Sequence, residues 1–129
     1  MNALIKKGSS FKSSIVLPLD KSIAQRAAIL NVETNVGIVG GDVISTRLAS
    51  KNAIANGEEN LYLGNSGTGI RLLTGYLSGL GRKFNLSGDM SLSKRPMDRI
   101  ADPLNELGAK VSLNNCLLYT SPSPRDDEL

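Results

Sequence analysis

Glycines placed to end helices divide this 129-residue chain at regular intervals. Gly57, Gly81 and Gly108 each follow a stretch of helical character and lie about 25 residues apart. Short apolar runs typical of strands stand between these stretches. The chain is therefore predicted to alternate strands and helices in repeated α/β units.

Caps, breakers and apolar spacing set the expected bounds of each element. Helices are predicted over residues 20–30, with Asp20 as the N-cap, and over residues 40–55, 66–80 and 96–107. Strands are predicted over residues 14–17, 37–39, 61–63, 83–86 and 109–113. The predicted buried faces of the last two helices consist of Ile70, Leu73, Leu77 and Leu80 and of Ile100, Leu104 and Leu107.

Residues 116–129 break with this pattern. They contain the only cysteine, Cys116, and show no amphipathic period. The run CLLYTSPSPRD also reads as an in-frame translation of a transposase adapter used in preparing DNA sequencing libraries. We interpret residues 116–129 as a non-native, disordered tail, with a native Ser-Pro-rich tail as the alternative.

Charge and composition limit the classes of function. The tail contributes Arg125 against Asp126, Asp127 and Glu128, so the formal net charge rises from +3 to +5 without it. This scattered excess suits small anionic substrates rather than nucleic acid. The chain has no histidine, which removes the usual general base and the commonest zinc ligand. No apolar run approaches 18 residues and no signal peptide is visible, so we expect a cytoplasmic protein without a membrane partner.

Three short segments combine cations with hydroxyl groups and backbone donors at predicted helix starts. Residues 17–26 read LPLDKSIAQR, residues 63–73 read LGNSGTGIRLL and residues 87–97 read SGDMSLSKRPM. Helix starts and arginines are the usual means of holding a phosphate or carboxylate. The candidate anion-binding residues are Lys21, Ser22, Arg26, Asn65, Gly67, Thr68, Arg71 and Arg95.

Each motif alone has a plainer interpretation. The first is also compatible with an exposed basic helix start, and the second with a glycine-rich turn that has a Ser or Asn cap. Asp42, Asp89 and Asp98 are predicted to be cap or turn residues rather than catalytic acids, because no partner for their carboxylates is visible in the sequence.

The order and spacing of the three motifs resemble the start of the 5-enolpyruvylshikimate-3-phosphate synthase family. Arg71 and Arg95 stand 24 residues apart, as the corresponding arginines do in that family, and the resemblance runs from about residue 12 to about residue 115. It implies an α/β fold that is a truncated part of an inverted α/β barrel of βαβαββ units. Residues 1–19 would belong to the far domain, and residues 20–115 would form about two of the near domain's three units.

The resemblance also implies a function. Family members transfer the enolpyruvyl group of phosphoenolpyruvate to the 5-hydroxyl of shikimate 3-phosphate and release phosphate. By correspondence, Lys21 contacts both substrates, Ser22 and Arg26 contact shikimate 3-phosphate, and Gly67 and Arg95 contact phosphoenolpyruvate. No metal or organic cofactor is implied, and the full-length protein is expected to be a monomer. No catalytic residue is assigned within this chain, which is predicted to be inactive alone.

Other candidates remain, the first an enzyme that shares the fold and the others from a different class. The sister enzyme that transfers enolpyruvate to UDP-N-acetylglucosamine typically has a Lys-Asn pair near its start, where this chain has Lys21 and Ser22. The sister enzyme also has a reactive cysteine in the loop that corresponds to residues 90–94, where this chain has no cysteine. A non-catalytic anion-binding module and an RNA-end-processing relative are the other candidates.

The sequence also departs from the synthase pattern at one position, where many synthases carry His or Asn and this chain has Gln25.

Overall fold

The computed structural model describes residues 2–10, 12–32, 39–114 and 117–121. The helices of these ranges are α1 (Lys21–Ile29), α2 (Gly41–Lys51), α3 (Gly67–Ser78), α4 (Met90–Ser93) and α5 (Asp98–Glu106), with a π-helical turn, Asn52–Asn56, after α2. The strands are β1 (Asn60–Tyr62), β2 (Phe84–Ser87), β3 (Lys110–Asn114) and β4 (Leu117–Ser121).

The four strands form one mixed sheet in the order β1-β2-β4-β3. β1 and β2 are parallel, with Leu61 opposite Leu86, and are connected through α3. β4 lies between β2 and β3 and is antiparallel to both. From β1 to β4, with α3 and α5 as the longer helices, the chain forms one βαβαββ unit, so the predicted fold class is confirmed.

The core lies between α3 and the sheet. Leu73 and Leu77 of α3 are fully buried, as are Phe84 and Leu86 of β2. α1 and α2 pack against each other and against α3. This packing brings the amino-terminal parts of α1, α2 and α3 to one region of the molecule.

The predicted helix ends are largely confirmed. The Asp20 carboxylate accepts a hydrogen bond of 2.9 Å from the Ile23 amide and caps α1. Gly57, Gly81 and Gly108 have φ angles of 69°, 63° and 97°, a left-handed backbone that favours glycine. The regular spacing of these glycines therefore marks the ends of helices, as predicted.

The predicted strand over residues 14–17 is wrong. This segment is extended without strand pairing, and Ile15, Val16 and Leu17 are exposed. A strand needs a neighbour for its backbone groups, and the described residues supply none here. Of the strand predicted at 37–39, residues 37 and 38 lie outside the described residues and Val39 is not in a strand.

The region after β2 also differs from the prediction. α5 begins at Asp98 rather than Pro96, and α4 is a short helix that was not predicted. Leu107 caps the C-terminus of α5 and is 81% exposed, because the chain turns away at Gly108. Leu80 lies beyond the end of α3 and is also exposed, while the predicted Ile70, Leu73 and Leu77 are buried.

The expectation that residues 116–129 are disordered is wrong for Leu117–Ser121, which form β4. β2 and β3 each offer an edge to this segment, and its backbone pairs with Phe84–Ser87 and with Lys110–Asn114. The ladder is made by backbone N–H and C=O groups, which every residue other than proline carries. The interpretation of the tail as non-native stays a prediction, as does the assignment of 20–115 to about two repeat units.

Candidate functional site

The candidate site lies at the carboxyl ends of β1 and β2. Because these strands are parallel, their ends meet at one edge of the sheet. The Leu63 amide donates to the Ser87 carbonyl at 2.8 Å, and the Asp89 amide donates to the Gly64 carbonyl at 2.8 Å. A Cβ atom at Gly88 would stand 2.6 Å from that same carbonyl oxygen, so glycine permits the close approach of the two loops.

Arg95 is held at this edge by the short helix before it. Asp89 caps α4 by accepting from the Leu92 amide at 2.8 Å, which confirms its predicted role, and Leu92 is buried. Arg95 follows α4, and its Nη2 donates to Asn65 Oδ1 at 2.5 Å. Asn65 is a neutral partner, so it orients the guanidinium without cancelling its charge.

Gly67 lies directly beside this guanidinium. It is the first residue of α3 and is buried, and a Cβ atom there would collide with Nη1 of Arg95. The amino end of a 12-residue helix carries partial positive charge. Two positive groups held this close favour an anion between or beside them.

Arg71 and Thr68 extend the same region along α3. Nη2 of Arg71 donates to the Pro96 carbonyl at 3.4 Å, while its Nε is buried without a hydrogen-bond partner. Thr68 is exposed on the first turn. No carboxylate of the described residues pairs with Arg71 or Arg95. The structure thus brings the second and third motifs together as a cationic surface.

The first motif lies at the start of α1. Lys21 Nζ is 2.5 Å from Asp42 Oδ2 in the first turn of α2, and these side chains are 64% and 32% exposed. Asp42 therefore has a partner that sequence analysis did not see. Arg26 Nη1 donates to the Ser22 carbonyl at 3.0 Å. Because Asp20 occupies the helix cap, an anion here would meet side chains more than free amides.

A buried hydrogen bond connects the first motif to the second. Gln25 Nε2, on α1, donates to Ser66 Oγ at 3.0 Å, and Ser66 caps α3. Thr46 of α2 contacts the same hydroxyl at 2.8 Å. Neither Gln25 nor Thr46 has a role predicted from the sequence. The available signal was a polar side chain among the small residues Ala24, Ala27 and Ala28, which are buried.

Among the residues that the structure describes, no group of three or more His, Cys, Asp or Glu side chains is arranged to hold a metal ion. No helix among them has the length and apolar character needed to cross a bilayer.

Residues 37–121 match the family model of EPSP synthase (3-phosphoshikimate 1-carboxyvinyltransferase). The 3-phosphoshikimate 1-carboxyvinyltransferases of Streptococcus pyogenes strains NZ131 and MGAS10750 are each 39% identical, over 78% of this chain and 30% of their own length. A solved EPSP synthase from Acinetobacter baumannii is 30% identical with a TM-score of 0.71, over 88% of this chain and 33% of its own.

The fold is α/β, and the site brings helix starts and arginines of separate motifs together. The family match covers well over half of the chain. The chain belongs to the EPSP synthase family. It spans about a third of the length of the relatives it matches, and the family match ends at the last residue of β4.

Proposed function

We propose that a protein containing this chain transfers the enolpyruvyl group of phosphoenolpyruvate to the 5-hydroxyl of shikimate 3-phosphate and releases phosphate. The observation that carries the proposal is the meeting of Arg95 with Asn65 and Gly67 at the start of α3. That arrangement is suited to a small dianion, and the named relatives support this chemistry over transfer to UDP-N-acetylglucosamine.

Phosphoenolpyruvate is assigned to the start of α3. Arg95 offers a planar pair of donors, and Gly67 allows a ligand to approach the backbone. Arg71 and Thr68 border the same surface and support the binding of this ligand. Because Arg95 has an amide partner rather than a carboxylate, its full charge remains to attract the ligand.

Shikimate 3-phosphate is assigned to the start of α1. Ser22 and Arg26 are four residues apart in α1 and lie on the same face of the helix, with Lys21 next to Ser22 in the first turn. Ser22 supplies a hydroxyl and Arg26 a guanidinium. Lys21 is paired with Asp42 in the present structure, and an arriving phosphate would compete with that carboxylate for the ammonium group.

The chain contributes binding and orientation to the proposed reaction. Cations at two helix starts offset the repulsion between two phosphorylated anions and hold them close, which lowers the entropic part of the barrier. No residue of this chain is assigned to proton transfer. The 129-residue chain alone is accordingly expected to be inactive. We further propose that the complete protein is a cytoplasmic monomer that needs no metal or organic cofactor.

The test requires a complete enzyme. Residues 1–114 can be joined to the matching remainder of the Streptococcus pyogenes relative, giving what we term the full-length fusion. In it, Arg95→Lys keeps the charge but loses the planar fork, so kcat/KM for phosphoenolpyruvate should fall roughly 5- to 150-fold, or about 1 to 3 kcal/mol. Ser22→Ala should instead weaken the use of shikimate 3-phosphate.

Steady-state kinetics in which each substrate is varied in turn separates these effects. A full-length fusion that forms no enolpyruvyl product would contradict the proposed function. If Arg95→Lys and Ser22→Ala affected the two substrates alike, the assignment of substrates to helix starts would be wrong even though the reaction was right.

A further inference from the structure

A buried series of polar contacts runs between the two proposed substrate sites. Gln25, Thr46 and Ser66 are each no more than 1% exposed. Gln25 Nε2 lies 3.0 Å from Ser66 Oγ, which lies 2.8 Å from Thr46 Oγ1. Thr46 Oγ1 in turn lies 2.8 Å from the Asp42 carbonyl oxygen. The series crosses from α1 through the cap of α3 to the first turn of α2.

The hydrogens in this series can be assigned by counting donors and acceptors. Ser66 Oγ accepts from Gln25 and also from the Gly69 amide at 3.2 Å, so its two lone pairs are used and its own hydrogen must go to Thr46. Thr46 must then donate to the Asp42 carbonyl, which can only accept. Turning the Gln25 amide over would leave one hydroxyl contact without a hydrogen. The hydrogen bonds therefore run in one direction from Gln25 to Asp42.

Three members of the series adjoin residues that are assigned to substrates. Gln25 stands next to Arg26 in α1, and Ser66 directly precedes Gly67 in α3. Asp42, at the far end, is the residue whose carboxylate pairs with Lys21. The two helix starts are thus connected through buried bonds that contain no charged donor.

Two features distinguish this series from ordinary core packing. A Cβ atom at Gly69 would collide with the hydroxyl oxygens of both Thr46 and Ser66, so the glycine leaves room for them. Gln25 Oε1 is buried without a hydrogen-bond partner, which is costly in a folded protein. An apolar side chain of the same length would avoid that cost. A buried amide that carries this cost points to a role other than stability.

We propose that Gln25 is a positioning residue that, through Ser66 and Thr46, fixes the start of α1 relative to the start of α3. The two bound anions then meet in reactive geometry, and an error of about 1 Å in that geometry is enough to lower a rate by about 100-fold. This inference rests on the proposed function, because it assumes that the two helix starts bind two reacting substrates.

The test uses four variants of the full-length fusion: Gln25→Met, Thr46→Val, the two combined, and Thr46→Ser. Each of the first two should lower kcat about 10- to 100-fold while KM for each substrate changes less than about 3-fold. The double variant should be no more than about 3-fold worse than the poorer single variant, because a series already interrupted cannot be interrupted again. Thr46→Ser keeps the hydroxyl and should recover most of the rate.

Thermal midpoints separate positioning from packing. Gln25→Met should leave the midpoint unchanged or raise it, since the unpartnered oxygen is gone. Two results with an active parent fusion would overturn the inference and show that the residues merely pack. In the first, the losses of kcat in the single variants multiply in the double variant. In the second, kcat falls only in those variants whose thermal midpoint also falls.

Amide hydrogen exchange decides the matter if the parent fusion proves inactive, which would contradict the proposed function. Thr46→Val should then speed exchange in residues 21–29 and 67–70 together, because both segments depend on the same bonds. Unchanged exchange in either segment would overturn the coupling itself.

Discussion

Asn65 Oδ1 accepts a 2.5 Å hydrogen bond from Nη2 of Arg95, 30 residues further along the chain. This bond ties the loop after β1 to the segment after α4, at the edge where the two parallel strands end. The side chain that orients the guanidinium is an amide, so the arginine is held in place and still carries an unbalanced charge.

Changing Asn65 to Asp tests whether that unbalanced charge matters. A carboxylate would still accept from Arg95, but it would neutralise the guanidinium and repel a dianion. We expect kcat/KM for phosphoenolpyruvate to fall about 10-fold in the full-length fusion. Asn60→Asp adds the same charge at the opposite end of β1, where the side chain accepts from Asn85. Equal losses in the two variants would mean that only net charge is involved.

Gly67 provides a steric test of the same contact. Gly67→Ala places a Cβ atom against Nη1 of Arg95, so the guanidinium must move and KM for phosphoenolpyruvate should rise about 10-fold or more. Gly75→Ala is the matched control, because apart from the backbone of α3 itself nothing lies within 4 Å of the Cβ position there. It should stabilise α3 by about 0.5 to 1 kcal/mol and leave KM unchanged. A normal KM in Gly67→Ala would contradict the proposed Arg95 contact.

The elements with strong local signals could be predicted from the sequence. Asp20 caps α1 by a contact three residues away, and the left-handed glycines mark chain reversals locally. The Arg95 region was predicted as a site, although α4 was missed because it consists of only four residues. Leu107 was assigned to a buried face because helical spacing alone does not reveal that the helix ends at Glu106.

Contacts between distant segments could not be predicted. Gln25 and Ser66 are 41 residues apart, and their hydrogen bond exists only because α1 packs across the start of α3. The pairing of Lys21 with Asp42 has the same origin in the packing of α1 against α2. A single sequence shows the polarity of such residues but not their partners.

The exposed apolar face of α2 should affect how the 129-residue chain behaves alone. Ile44 and Leu48 are one turn apart and are 56% and 58% exposed. We expect the chain to bind a hydrophobic dye or to self-associate through such residues. Ile44→Gln combined with Leu48→Gln should reduce dye fluorescence without lowering the thermal midpoint, whereas Lys51→Gln on the same helix should change neither. Undiminished dye binding in the double variant would show that the dye binds to a different apolar surface.

Removal of β4 tests whether its place in the sheet or its sequence is what the fold requires. β3 pairs with β4 alone among the described strands, so deletion of residues 117–129 should detach β3 and lower the thermal midpoint by about 5 °C or more. Deletion of residues 122–129 is the control and should have little effect. Replacing Leu117–Ser121 with another strand-forming sequence should restore the midpoint, since the pairing is made by the backbone. An unchanged midpoint after the longer deletion would show that β4 adds nothing to stability.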